Sequence, residues 1–235
     1  MFHTGIACIS SSRSPTSDIV GSYEGDQGLR GAAQTPRAPR RPARDWADGD
    51  ARAALAAVRP DCDGRSLTLQ AVRDEDMPAL LELVLAGVHD PAVMPFSTPW
   101  TDAAPADLLR QSAAYYWRSR ADFSPASWSL DLVVRLAGEI VGVQALFGEN
   151  FPVTRVAETG SWLGRAHQGR GIGTLMRQAA CALVLDHLGG EQLTSAAYED
   201  NPASLAVSRK VGYVDNGVER RQRRDGELAV LRRSS

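Results

Sequence analysis

The chain predicts an α/β fold built on a mixed sheet, and three observations carry that prediction. From Ser66 onward, stretches in which apolar and polar residues alternate are separated by stretches with helical spacing. Glycine, proline and asparagine mark the borders between them. The resulting order, β-α-α-β-β-β-α-β-α-β-β, joins strands both by hairpins and by helices, so antiparallel and parallel pairing must coexist.

Each element has its own signal. Leu67, Leu69 and Ala71 alternate with polar neighbours and read as a strand. Asp74, Asp76 and Pro78 resemble a helix start, and Leu80, Leu81, Val84, Leu85 and Val88 then recur at helical spacing. A loop rich in proline and aromatic residues covers 90–100, and a second helix is expected over about 105–120. Residues 128–136 and 139–147 read as two strands joined by a tight hairpin at Ala137-Gly138. Residues 155–163 form another strand, followed by a long amphipathic helix over 171–187 with Ile172, Leu175, Met176, Ala179, Leu183 and Val184 on one face. A strand over 193–198, a short helix over 202–210, a strand over 213–223 and a last short strand over 228–231 complete the order. No internal repeat is present.

The first 65 residues differ in kind. They are rich in Ser, Gly, Pro, Arg and Asp, and the run Thr35-Pro-Arg-Ala-Pro-Arg-Arg-Pro-Ala-Arg cannot bury enough surface to offset ordering its backbone. Residues 1–65 are therefore read as a disordered tail and 66–235 as the domain; translation from an upstream start codon would leave the same pattern.

Composition excludes several classes of function. The 26 basic and 28 acidic side chains leave a formal net charge of -2, which argues against a nucleic-acid partner. Cys8, Cys62 and Cys181 lie far apart, which excludes a disulfide scaffold and clustered zinc ligands and suits a reducing cytosol. The longest apolar runs, 83–88 and 179–185, fall far short of the ~20 residues a membrane span needs, and no export signal is read at the N-terminus. The expectation is a cytoplasmic protein with no membrane and no metal. The near-exclusive use of arginine, with Lys210 the single lysine, points to a GC-rich bacterial genome.

The most informative stretch is Leu163-Gly-Arg-Ala-His-Gln-Gly-Arg-Gly-Ile-Gly-Thr174. A strand ends, glycines follow at 169, 171 and 173, and a helix begins. Lacking Cβ, those positions let a ligand approach the main chain. The first N–H groups of the helix have no partner within it and point outward with the positive end of the helix dipole, so they can hold an anion such as a diphosphate. A glycine-rich turn that binds nothing fits these residues equally well. The nucleoside-triphosphate loop does not: after Gly164-x4-Gly169 come Arg170 and Gly171 in place of the lysine and the hydroxyl. The dinucleotide fingerprint fails too, because the third glycine comes one position early.

Gln168-Gly-Arg-Gly-Ile-Gly173 resembles the acetyl-CoA signature Gln/Arg-x-x-Gly-x-Gly/Ala of the GNAT superfamily of N-acetyltransferases. Asn201-Pro-Ala-Ser204, continuing through Lys210 and Gly212 to Tyr213, is similar to a second segment of that superfamily, and Ala157-Glu-Thr-Gly-Ser-Trp-Leu163 to its RimJ/RimL-type subgroup. The resemblance covers roughly 66–231. It implies a mixed, mostly antiparallel sheet of about six or seven strands with helices on both faces. Two central parallel strands, ending near Leu163 and Tyr198, would splay apart. Acetyl-CoA would be the co-substrate, its pantetheine arm entering the gap beside Leu163. Its diphosphate would rest on the amides of Gln168, Gly169, Arg170, Gly171, Ile172, Gly173 and Thr174. Arg170, and with it Arg165, is a candidate for added charge at the phosphates, or else a solvated surface arginine. Asn201 reads as a helix N-cap before Pro202, to which the resemblance adds a CoA contact.

Acetyl transfer to an amine needs the amine neutral, the thioester carbonyl polarised and the leaving thiolate stabilised; with both substrates in one site, no covalent enzyme intermediate is required. The resemblance makes Glu158 the candidate base, with Glu149 and Asp200 as competitors, and Ser204 the candidate acid beside the CoA sulfur, with Tyr213 as competitor. Each also has a plain structural reading: a solvent-facing strand carboxylate for Glu158, a first-turn hydroxyl for Ser204, a packing residue for Tyr213. Trp100, Tyr115, Tyr116, Trp117 and Phe123 fall where the fold would line the amine pocket, unless they simply fill the core. The final strand, which often borders the acceptor site, looks short. The run 220–224, with four arginines, is read either as a solvated edge or as a site for an acidic acceptor. The expected partner is an amine acceptor, a protein N-terminus, a lysine or a small amine, and the chain a monomer or homodimer. A non-catalytic acyl-CoA-binding module is the alternative.

Overall fold

The computed structural model describes residues 61–62 and 65–235. Its strands are β1 (Asp61–Cys62), β2 (Arg65–Ala71), β3 (Ser127–Leu136), β4 (Glu139–Glu149), β5 (Val156–Leu163), β6 (Gln192–Tyr198), β7 (Asp215–Gln222) and β8 (Leu228–Ser234). Its α-helices are α1 (Met77–Leu85), α2 (Pro105–Ala121), α3 (Phe151–Thr154), α4 (Ile172–Ala182) and α5 (Pro202–Val211). The strands lie in the order β1-β2-β3-β4-β5-β6-β8-β7. Among the described residues only β5 and β6 pair in parallel; every other neighbouring pair is antiparallel. The expected disordered tail lies outside the described residues except at Asp61, Cys62 and Arg65. Asp61 pairs with Ser66 and Cys62 with Arg65, so the sheet begins ahead of the expected boundary.

Helices cover both faces. On one, α4 packs Ile172, Met176, Ala179 and Ala180 against Leu67, Leu132, Val134, Leu146 and Ala157. On the other, Met77 and Leu80 of α1 and Tyr116 of α2 meet Val133, Ile140 and Val143. Strand β3 is therefore buried on both sides, which explains its unbroken Leu132-Val133-Val134 run. The β3–β4 hairpin closes through Ala137 (φ 52°) and Gly138 (φ 89°), the paired left-handed conformations that match strand twist.

Several expectations needed correction. A short helix, α3, follows β4 and buries Phe151 against Trp128. The long helix after the glycine turn changes at Leu183 to one π turn, in which the Leu188 N–H reaches the Leu183 carbonyl. The last strand is not short: it runs to Ser234 and inserts between β6 and β7. Its polar end escaped the apolar pattern because it is held by backbone pairing on both sides, with Arg232 bound to Glu199 and Arg233 to Glu219 at 2.7 Å each. The arginine run fits the solvated-edge alternative only in part: β7 is an exposed edge strand on which Arg220 faces solvent, but the other three arginines are paired. Arg221 pairs with Glu219. Arg223, with only 6% of its side chain exposed, grips Asp200 and Glu227 and donates to the Met94 carbonyl at 2.9 Å. Arg224 holds Asp102 and donates to the Pro91 carbonyl at 2.8 Å. Together Arg223 and Arg224 fasten the 90–102 loop to the C-terminal hairpin. No helix among the described residues is long and apolar enough to cross a membrane.

Candidate active site

Strands β5 and β6 stay paired from Val156↔Gln192 to Thr159↔Ser195 and then part. Beyond the fork, Gly160 to Leu163 keep their partners on β4, and Ala196 to Tyr198 theirs on β8. The edges facing each other across the gap therefore present main-chain groups to whatever enters it. The gap widens into a groove of about 390 Å³ that runs to the N-terminus of α4 and along α5.

The glycine turn forms one end of this groove. Gly171, at φ 81°, is the residue before α4, and Gly169 is also left-handed at φ 72°. A Cβ at either position would meet nothing, so both glycines are required by backbone conformation and leave open space above them. Leu163, Gln168, Gly169, Gly171, Gly173 and Thr174 line the groove. Arg170 and Ile172, expected to offer their amides beside these, are not among the groove-lining residues: the Arg170 side chain is exposed and that of Ile172 is buried in the core beneath α4, which describes their side chains and not their N–H groups. The Gln168 N–H donates to the Arg165 carbonyl (3.3 Å) and the Thr174 N–H to that of Gly171 (3.0 Å), so these two amides are engaged within the turn itself. Gln168 secures the turn with its side chain, donating to the carbonyls of Val88 (2.6 Å) and Leu163 (2.9 Å).

Asn201 and Ser204 lie across the groove. Asn201 caps α5 as expected, its Oδ1 accepting the Ser204 N–H at 3.1 Å. That bond fixes the first turn and holds Ser204, half-buried, on the groove wall. Tyr213 is elsewhere: its ring is in the core and its hydroxyl lies 3.3 Å from Thr159 Oγ1 and 3.5 Å from Cys181 Sγ. Burial pushes the Tyr213 phenol well above its ordinary range. It packs and does not reach the groove.

Glu158 does not line the groove. Strand alternation places it on the same face as Trp162, with its register partner Phe147 on β4, two residues before the fork. Its Oε1 is shielded from solvent and has no hydrogen-bond partner among the described residues. Burial raises its pKa, opposed by the charges of Arg233 and Arg221. The competitors are placed differently. Asp200 is held by Arg223, and Glu149 is exposed at the far end of β4.

Of the five aromatic residues expected at the amine pocket, Trp100, Tyr115 and Tyr116 line a smaller cavity on the other face of β5, with Phe96, Phe147 and Trp162. This cavity shares Gly160, Ser161 and Trp162 with the groove. Trp117 is 54% exposed and donates to Asp74, and Phe123 is 45% exposed at the outer side of α2. Both fall outside it.

Sequence reading missed two buried charges here. Arg177, 3% exposed on α4, donates to Ser195 Oγ (2.9 Å), Ser161 Oγ (3.2 Å) and Ser208 Oγ (3.4 Å) and so spans the fork from below. Asp131, 8% exposed on β3, ends the aromatic cavity. Each sits inside an otherwise apolar pattern, which is the signal that would have found it.

A model of the acetyltransferase (GNAT) domain matches residues 66–214. Solved structures share the fold. Mycobacterium smegmatis RimJ, solved with CoA-disulfide, is 21% identical over 74% of this chain and 86% of its own, at a TM-score of 0.62. The microcin C7 self-immunity acetyltransferase MccE, solved with acetyl-CoA and AMP, is 19% identical over 77% and 97%, at 0.60. RimL, a ribosomal L7/L12 α-N-protein acetyltransferase solved with CoA, is 20% identical over 72% and 92%, at 0.55. At such identities the likeness is one of fold. The family match spans more than half of the chain, on a sheet forked between β5 and β6 beside a glycine turn, and the chain belongs to the GNAT acetyltransferase family.

Proposed function

We propose that this chain moves an acetyl group from acetyl-CoA directly to a primary amine, in a complex holding both substrates. The observation that carries the reading is the fork of β5 and β6, which opens at one end onto the left-handed glycines of the turn and has Ser204 on its wall. The amides between Gln168 and Thr174 would hold the diphosphate, and the free edges of β5 and β6 the pantetheine amides. Glu158 would take a proton from the acceptor ammonium, directly or through water. The freed amine bonds to the acetyl carbon as the carbon–sulfur bond breaks, and the second proton shed by the nitrogen would pass to the departing sulfur, with Ser204 donating its hydroxyl proton to the sulfur and taking that one in its place. Purified protein given acetyl-CoA and a panel of amines should release CoA thiol and add one acetyl to an acceptor. A rise in melting temperature with acetyl-CoA but no thiol from any amine would instead favour a binding module.

Two substitutions test the roles. Ser204→Ala should lower kcat by about 10²-fold, the lower range for general acid catalysis, while acetyl-CoA affinity stays within about twofold; unchanged turnover would place the acid elsewhere. Glu158 is inactive as a base when protonated, and burial raises its pKa, so activity should fall as pH drops through that raised value, above the ordinary carboxylate range. Glu158→Gln should lower kcat by about 10²-fold and remove this acid limb. A limb that persists in the variant would assign the base to another group.

A further inference from the structure

We propose that Asp131 is the binding group for the acceptor's ammonium, and that the aromatic cavity it closes selects a slender, unbranched aliphatic primary amine. This rests on the acetyl-transfer reading and concerns the acceptor side of the same site.

The register of the sheet sets the geometry. Asp131 on β3 pairs with Ala145 on β4, and Ala145 with Gly160 on β5, so the three stand in one row across the sheet. Gly160 is the first residue past the fork. Paired residues face the same side, and at Ala145 and Gly160 that side carries a methyl group and a hydrogen. The row is therefore a trough leading from the fork to the Asp131 carboxylate. Its length is two strand spacings, about 10 Å. That length accommodates, in series, a carboxylate–ammonium hydrogen bond of ~2.8 Å and a near-attack contact of ~3 Å.

The walls suit a cation. Trp100, Tyr115, Tyr116, Phe147 and Trp162 surround the trough, and aromatic faces attract ammonium groups. The cavity is small, about 30 Å³, which favours a slender chain over one branched beside the nitrogen.

Among the described residues the carboxylate has no counter-charge. Asp131 accepts from the Tyr115 hydroxyl (3.2 Å) and from Ser129 Oγ (3.3 Å), and Ser119 of α2 lines the space on its outer side. Among the described residues no cation lies within ion-pair distance. Arg120, which lines the space on the outer side of Asp131, is bound to Asp74. Tyr115 and Tyr116 are the titratable groups facing Asp131 from α2; those facing it from β4 and β5, Val143, Ala145 and Gly160, do not titrate. A buried acid that meets only hydroxyls is costly to ionise, and its pKa is raised to about 6 by that burial. A bound ammonium would supply the missing partner.

The test is steady-state kinetics with acetyl-CoA and three acceptors: an unbranched alkylamine, its α-methyl-branched isomer and a short peptide with a free N-terminus. The unbranched amine should show the highest kcat/KM, at least about tenfold above the branched isomer, and its KM should fall as pH rises through about 6. Asp131→Asn, nearly isosteric, should raise that KM at least tenfold and abolish its pH break, with the acetyl-CoA-induced melting shift unchanged. Tyr115→Phe removes a hydrogen bond that favours the ionised form and should move the break to higher pH, which tests the assignment should Asp131→Asn not fold. A wild-type protein that turns over with an unaltered amine KM in Asp131→Asn, or prefers the peptide, would overturn this inference and leave acetyl transfer standing. Thiol release with no acceptor at all would overturn both.

Discussion

Aspartate in place of Gly171 will abolish CoA binding while leaving the fold intact. Gly171 sits at φ 81°, immediately before the first turn of α4, and a Cβ there has nothing within 4 Å. Aspartate is among the few L residues that visit this conformation, at a cost of about 1–2 kcal/mol, so the variant should fold. What it cannot do is accept a diphosphate. Its carboxylate would stand beside the amides that the anion needs and would repel it. Hydrogen bonds to a charged acceptor contribute roughly 1.5–3 kcal/mol each, so losing two of them weakens binding by at least about 10²-fold. A calorimetric titration with CoA measures this directly. Gly171→Ala is the matched control: it carries the strain without the charge and should lose far less affinity. CoA binding to the aspartate variant within threefold of wild type would remove the phosphate seat from this turn.

The glycine turn was legible in the sequence because its chemistry is local. Gly169 and Gly171 adopt the left-handed backbone that glycine permits, and Asn201-Pro202 opens α5 with a cap and a fixed φ, all within a few residues. Strands with one clear apolar alternation were legible for the same reason. What escaped notice depends on distant partners. Arg223 and Arg224 look like surface charges until the fold brings Asp200, Asp102 and the carbonyls of Met94 and Pro91 to them. Strand β8 outlasts its apolar residues because two neighbouring strands hold it. Nor did the sequence announce that Gln168 and Thr174 engage their N–H groups inside the turn, or that the Ile172 side chain is drawn into the core by the apolar stripe of α4. Asp131 was passed over inside a strand whose alternation was otherwise satisfied, since Trp128, Leu130, Leu132 and Val134 already accounted for one face.

Gly142→Ala should damage both stability and the cofactor groove, and the reason lies in how β5 is held. Gly142 on β4 pairs with Leu163 on β5, beyond the point where β6 has left. A Cβ at 142 would stand 2.3 Å from the Trp162 carbonyl oxygen and 2.9 Å from Leu163 Cα, distances at which main chain must move. Val134 occupies the other side of Gly142, so β4 cannot retreat without disturbing a strand buried on both faces. The end of β5 has no neighbour on its groove side, and it is the part able to yield. The added methyl group therefore drives Trp162 and Leu163 toward β6 and narrows the gap meant for pantetheine. Overpacking of this kind costs roughly 1–3 kcal/mol, which for a domain of this size lowers the melting temperature by about 3–10 °C. Acetyl-CoA affinity should fall at the same time. Gly148→Ala separates the two effects: its Cβ would clash with the Trp128 ring, 2.5 Å away, at the opposite end of β4. That variant should lose comparable stability with cofactor affinity preserved. Equal losses of affinity in the two would mean that the groove responds to general loosening of the sheet. Loss confined to Gly142→Ala would show that the free edge of β5 is set by a single missing side chain on the strand behind it.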